Sequence, residues 1–216
     1  MLLSLGNTKL NKNKLRTASF GLQAIKTCPS AGACKSDCFA LAGNYVFKNV
    51  KEKQKERLAA SRRNGFIQVI NDELNSLNVG AVRVHDSGDY YSRKYLEKWV
   101  EIARNNPDVI FYSYTKSIQF FKSDYNTWSI NLPSNMIITF SYGGKYDHLI
   151  NPSVDKHALV FQSLEQLLEY KYQNNSVTDD LAYDNKTLRV GLIAKPYRKK
   201  TGFSSTFDNI KNLIGG

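Results

Sequence analysis

Cys28-Pro-Ser-Ala-Gly-Ala-Cys-Lys-Ser-Asp-Cys-Phe-Ala40 holds all three cysteines of the 216-residue chain within eleven residues, spaced C-x5-C-x3-C. A short loop with a glycine and a proline can bring three thiolates to one place. Thiolate is the ligand that soft metals and iron–sulfur clusters select. The odd count, with no second group of cysteines, argues against a disulfide framework. A tetrahedral zinc site needs a fourth ligand, and the only histidines, His85, His148 and His157, lie far along the chain. Cys28, Cys34 and Cys38 are therefore expected to ligate a metal. Three thiolates with one open position suit a [4Fe–4S] cluster; a zinc site and three unrelated reduced thiols are the competing readings.

The sequence around this loop reads as alternating strands and helices. Phe20–Lys26 is expected to be the strand that delivers the chain into the cysteines. Asn44 to Arg63 is rich in Lys, Glu, Gln and Ala, which favour a largely solvated helix. Phe66, Ile67, Ile70, Leu74 and Leu77 recur at helical spacing and should face a core. Ala81–His85 alternates as a strand, an alternation that can point Arg83 and His85 inward to the site, although a lone histidine on a strand is more often a hydrogen-bonded structural residue. Ser92 reads as an N-cap for a helix with Tyr95, Leu96, Trp99, Ile102 and Ala103 on one face, stopped by Asn105-Asn106-Pro107. Val109–Tyr114, Met136–Phe140, Ala158–Phe161 and Leu188–Ala194 read as further strands. A short helix is expected over Ile118–Phe121. Ser163 and Gln166 form a capping-box pattern for a helix through Tyr172. Gln173–Tyr183 is polar and loop-like, and a last short helix falls near Phe207–Ile214.

Six strands joined by helical or long segments favour an α/β fold with a mostly parallel sheet and right-handed crossovers. The expected architecture is an incomplete (β/α)6 barrel, with an open doubly wound sheet as the alternative. Neither repeats nor linkers interrupt the chain, so residues 1–216 read as one domain: an extended segment and first strand over 1–27, the cysteine loop over 28–40, and the remaining units over 41–216.

In such folds functional groups gather at the C-terminal ends of the strands. His85-Asp86-Ser87-Gly88-Asp89 follows the second strand, Tyr114 and Lys116 close the third, and Ser141 and Gly143 follow the fourth. Gln162-Ser163 and Lys195-Pro196 follow the fifth and sixth. Asp86, Asp89 and Lys116 are the candidate catalytic residues. His85, Asp86, Ser87, Gly88, Asp89, Tyr114, Lys116, Ser141 and Gly143 are the candidate cofactor-binding set. Acceptor oxygens on Asp86, Ser87 and Asp89 can hold an ammonium or ribose hydroxyls, and Lys116 a carboxylate or phosphate. P-loop and Rossmann glycine patterns are absent, as is a Gly-x-Ser-x-Gly elbow.

Thirty Lys and Arg against 19 Asp and Glu give a formal charge of +11. A basic surface gains affinity for polyanions by counterion release, so nucleic acid is a candidate partner. No apolar run reaches membrane-spanning length, and the N-terminus turns polar too soon for a secretory signal. Grouped, reduced cysteines fit the cytoplasm, of a host cell if a phage encodes the chain.

Cys28-Pro-Ser-Ala-Gly-Ala-Cys34 with Cys38-Phe-Ala, Val82-Arg-Val-His-Asp-Ser-Gly-Asp89 and Phe111-Tyr-Ser-Tyr-Thr-Lys116 resemble the phage "gene product 88"-like family over roughly residues 4 to 118. More loosely, the arrangement is similar to radical S-adenosylmethionine proteins. That likeness implies a six-unit partial barrel whose three cysteines after the first strand ligate three irons of a [4Fe–4S] cluster. S-adenosylmethionine would chelate the fourth, with Asp86, Ser87 and Asp89 near its amine and ribose. The chain departs from that superfamily in cysteine spacing, in Asp37 preceding the third cysteine, and in lacking Gly-Gly-Glu after the second strand. A phage binding protein that contacts nucleic acid or a host protein, with the cysteines as a structural metal site, is the alternative.

Overall fold

The computed structural model describes residues 1–36 and 38–194. Seven strands, all parallel, form one sheet: β1 (Thr17–Phe20), β2 (Ala81–Val84), β3 (Ile110–Thr115), β4 (Met136–Ser141), β5 (His157–Phe161), β6 (Gln173–Asn174) and β7 (Arg189–Ile193). Their order is β1-β2-β3-β4-β5-β7-β6. From β1 to β5 each crossover steps one strand the same way, as in a barrel, but β1 and β6 remain edges and the sheet stays open.

Among the described residues, four α-helices accompany the strands: α1 (Lys48–Ser61) and α2 (Phe66–Leu77) before β2, α3 (Arg93–Asn105) before β3, and α4 (Leu164–Glu169) after β5. The expected faces of α2 and α3 are buried: Phe66, Ile70, Leu74 and Leu77 on one, Tyr95, Leu96, Trp99, Ile102 and Ala103 on the other. They pack on Phe20, Val82, Val84 and Phe111 in a single large core cluster. Trp99 lies edge-on to Phe20 and Phe66 at 5.2 and 5.6 Å, a geometry that favours ring pairs beyond their area. Ser92 caps α3 by accepting from Tyr95 N at 3.2 Å.

Several expectations are corrected. The first strand is Thr17–Phe20, not Phe20–Lys26: the chain leaves the sheet at Gly21 and turns through Ile25, whose φ is 65°. A β1 extended to Lys26 would oppose the turn after Val84, where pairing has ended. The helix expected over 44–63 starts at Lys48, after a 3₁₀ turn at Gly43–Val46. It is also less solvated than expected. Gln54 and Arg57 are buried, with Gln54 Nε2 donating to Ser87 Oγ at 2.9 Å and Arg57 Nε to the Leu2 carbonyl at 2.6 Å. The helix expected through Tyr172 ends at Glu169, and Gln166 Oε1 caps the Gln162 N–H instead of the Ser163 N–H. Only a 3₁₀ turn, Ile118–Phe120, precedes β4. Lys195-Pro196 and the helix near Phe207–Ile214 lie outside the described residues.

The largest correction concerns Gln173–Tyr183. Two of its residues form β6, and Asp179 is fully buried. Strand residues facing away from the helices are largely polar, among them Thr17, Arg83, Tyr112 and Tyr114, and this segment covers them together with the N-terminal loop. Asp179 takes an ion pair from Arg83 Nη1 at 2.7 Å and one from Lys9 Nζ at 2.6 Å, and accepts from the Tyr112 hydroxyl at 3.1 Å. Asn13 Oδ1 accepts from Asp179 N at 2.8 Å, and Asn175 Nδ2 donates to the Tyr114 hydroxyl at 2.8 Å. This plug covers the face that the missing strands of a closed barrel would enclose.

Candidate functional site

The cysteine loop is stapled across the tips of β3 and β4. Cys28 N donates to the Ile25 carbonyl, and Ala31 N to that of Cys28, each at 3.2 Å. Gly32 N and Cys34 N both donate to the Gly143 carbonyl at 3.3 Å, and Lys145 N to the Ser30 carbonyl at 2.9 Å. Ser30 Oγ and the Gln119 side chain are hydrogen-bonded at 2.9 Å.

Held this way, Cys28, Cys34 and Cys38 line one cavity of about 190 Å³ with Asp86, Asp89, Tyr114, Lys116 and Ser141. Arg83 and Tyr114 reach it from the polar face of the sheet, Val160 and Leu192 from β5 and β7. All three thiols are half-buried and unpaired with one another. Among the described residues, no group of three or more His, Cys, Asp or Glu side chains is arranged to hold a metal ion. Burial, with the Asp89 carboxylate second, pushes the Cys28 thiol up to about 12. Burial raises Cys34 too, against the pull of the Lys116 ammonium. A bound metal reverses this balance, because a coordinating thiol is deprotonated outright.

The residues of the β2 tip divide by role. Asp89 is buried with both oxygens occupied: Oδ1 accepts from Tyr90 N at 2.7 Å and Thr115 Oγ1 at 2.6 Å, and Oδ2 from Lys116 N at 2.8 Å. It braces the end of β3. Burial raises its pKa, while the Thr115 hydrogen bond opposes the shift. Ser87 Oγ donates to the Leu22 carbonyl at 2.8 Å while accepting from Gln54, so it ties the tip to β1 and α1. Gly88, at φ 78°, supplies the turn between them. Lys116 Nζ donates to Ser141 Oγ at 2.6 Å, holding the ammonium over the cavity. Gly143 N, expected to approach a ligand, instead donates to Asp147 Oδ2 at 2.8 Å.

His85 is part of the cavity wall, but its ring takes the place of a buried, hydrogen-bonded structural histidine. Its φ of 70° breaks the strand alternation and turns the imidazole into the helix-covered core. There Nε2 is hydrogen-bonded to the Tyr95 hydroxyl at 3.0 Å, and the ring meets Tyr90 edge-on at 4.5 Å. Burial depresses its pKa to about 3. Arg83, one of the two residues read as inward-pointing, does reach the cavity. Phe39, after the third cysteine, also lines it. Asp179, which holds Arg83 from below, carries no local motif that would have marked it.

Asp86 sits where the sequence alone could not put it. A Cβ on Gly21 would lie 1.9 Å from Asp86 Oδ1 and 3.0 Å from Ser87 Oγ. Glycine at the end of β1 is thus what admits the carboxylate, whose pKa burial raises while Arg83 and Arg57 pull it down. Gly21→Ala is expected to lower stability by about 1–3 kcal/mol through overpacking. Removing the carboxylate in Gly21→Ala/Asp86→Ala should recover most of that loss. Urea titration of both single variants and the double reads the coupling, and additive effects would show that Asp86 is not what the new methyl strikes.

The fold and site define an α/β protein with an open parallel sheet and a cysteine-lined cavity at the C-terminal strand ends. The chain belongs to the gene product 88 family, whose model matches residues 1–204. No curated protein and no solved structure matches it.

Proposed function

We propose that the chain is an iron–sulfur protein in which Cys28, Cys34 and Cys38 hold a [4Fe–4S] cluster. The observation that carries this is that Cys28, Cys34 and Cys38 line one cavity together with Asp86, Asp89 and Lys116. The donor chemistry fits: three thiolates, no competing histidine in the cavity wall other than the inward-turned His85, and a partly dry setting.

Three thiolates leave one iron to an outside ligand, and S-adenosylmethionine is the candidate. When bound, the pair supplies one-electron chemistry. The chain's own residues would recognise its polar ends. Lys116 Nζ, steadied by Ser141, meets a carboxylate; the Asp86 carboxylate meets an ammonium or ribose hydroxyls. Asp89 fixes where Lys116 stands, and Val160, Leu192 and Tyr114 limit water.

Anaerobically purified protein should be brown, with about four irons and matching acid-labile sulfide per chain. Cys28→Ala, Cys34→Ala and Cys38→Ala should each lose the colour and most of the iron while keeping the far-ultraviolet dichroism of the fold. Equilibrium dialysis should show S-adenosylmethionine retained by the wild type and weakened by Lys116→Ala. Protein that stays colourless after anaerobic reconstitution overturns the reading, as does stoichiometric zinc in place of iron.

A further inference from the structure

Beside the cysteine cavity lies a larger groove of about 1020 Å³, between the N-terminal loop, the 3₁₀ turn at Gly43–Val46 and the start of α1. Phe39 and Asp86 line both spaces, so the groove adjoins the cavity. We propose that this groove binds a single-stranded nucleic acid and presents one of its bases to the cysteine cavity. The proposal deepens the cluster reading by naming a substrate class, and depends on it only for what happens at the inner end.

Charge, shape and stacking surface support it together. Lys9, Lys12, Lys53 and Arg57 line the groove against one acid, Asp86, which sits at the inner end away from where a backbone would run. Lys12 is exposed at the mouth. Lys53 pairs with Glu56, itself exposed, at 2.8 Å, a pair that a phosphate displaces at little cost. Arg57 is anchored by the Leu2 carbonyl and Ser4 and contributes fixed positive potential, while Lys9 is anchored by Asp179, which offsets its charge. At the neck, Phe39 and Tyr45 meet edge-on with ring centroids 5.5 Å apart. The Tyr45 hydroxyl donates to the Asp86 carbonyl at 3.2 Å, fixing the pair against the β2 tip. A positive groove that tracks a backbone, with aromatic rings for bases, is the common plan of single-strand binding. The small inner cavity favours a single strand over a duplex, because a base inside the stack cannot reach a recessed site. The groove far exceeds the cavity in volume, more than one nucleoside phosphate needs.

The test is fluorescence anisotropy with labelled single-stranded DNA and RNA of about 20 nucleotides, compared with a duplex of the same sequence and with a nucleoside monophosphate as competitor. The single strand should bind best, with affinity falling steeply between about 50 and 200 mM salt. Lys12→Glu/Lys53→Glu should bind about tenfold more weakly or worse, and its salt slope should shrink by about two. Lys94→Glu/Lys186→Glu, equal in charge change but outside the groove, should bind like wild type. Equal loss in both double variants would overturn the proposal, as would preference for the duplex or full competition by the mononucleotide. Iron content is measured on the same preparations. Iron retained without strand binding sinks the groove alone, and strand binding without iron sinks the cluster alone.

Discussion

Asp179→Asn is expected to destabilise the protein by about 3–5 kcal/mol, the cost of leaving a buried charge without its partner. The substitution keeps the shape of the side chain and removes its charge. Arg83, whose side chain is only 14% exposed, would then lose its counter-charge, and Lys9 with it. Against a typical stability of about 5–15 kcal/mol, that loss is large. Replacing both partners, as in Arg83→Met/Asp179→Leu, should cost less than Asp179→Asn alone, because the more deeply buried Arg83 charge is then not stranded and only the partly exposed Lys9 loses its partner. Urea midpoints of the variants check this, and an Asp179→Asn protein as stable as wild type would mean that the plug does not depend on the pair. Burial alone would raise the Asp179 carboxyl, but Arg83 and Lys9 outweigh it and hold it below the usual carboxylate range. Its contribution is therefore fully present above about pH 4 and is lost as pH falls through the lowered value.

The second large effect is sensitivity to mild acid. His85 and His157 are both buried, and burial depresses both pKa values, that of His85 to about 3. In the unfolded chain each imidazole takes up a proton near pH 6.5, whereas in the folded protein His85 stays neutral until far lower pH. The unfolded state thus binds more protons below that point, and stability falls as pH drops. The slope is about 1.4 kcal/mol per pH unit for each such histidine. Raised carboxyls such as Asp86 and Asp89 oppose this at the acid end, since their folded forms hold protons more tightly. The decisive reading is therefore the difference between wild type and His85→Gln in urea midpoint at pH 7, 6 and 5. The variant should lose one histidine's share of the slope, and parallel curves would show that His85 is not held neutral in the core.

Local sequence carries no mark for Asp179, and it marks His85 as a site residue instead of a buried one. The faces of α2 and α3, the N-caps Ser92 and Ser163, and five of the strands follow from apolar spacing and capping chemistry, which act within one turn or one strand. The cysteine loop and the tips at Asp86–Asp89 and Lys116 were legible for the same reason: in a parallel sheet the chain order of strands already fixes which turns share an end. The end of the first strand was not legible, because Gly21 is set by the approach of Asp86 from 65 residues away. Nor was the inward turn of His85, which follows from a single positive φ against the alternation that Val82 and Val84 establish.

The sequence by itself determined a parallel α/β chain whose three cysteines and polar tips lie at one end of the strands, since periodicity, caps and strand order are local or topological properties. Only the tertiary structure decided that the sheet stays open and that residues 173–183 seal its polar face around Asp179. It also decided that Asp89 braces while Asp86 and Lys116 face the cavity. Those outcomes depend on which buried charges and hydrogen-bonding groups meet across separations from 25 to 166 residues of chain, and a buried polar group must find its partner wherever the fold brings one.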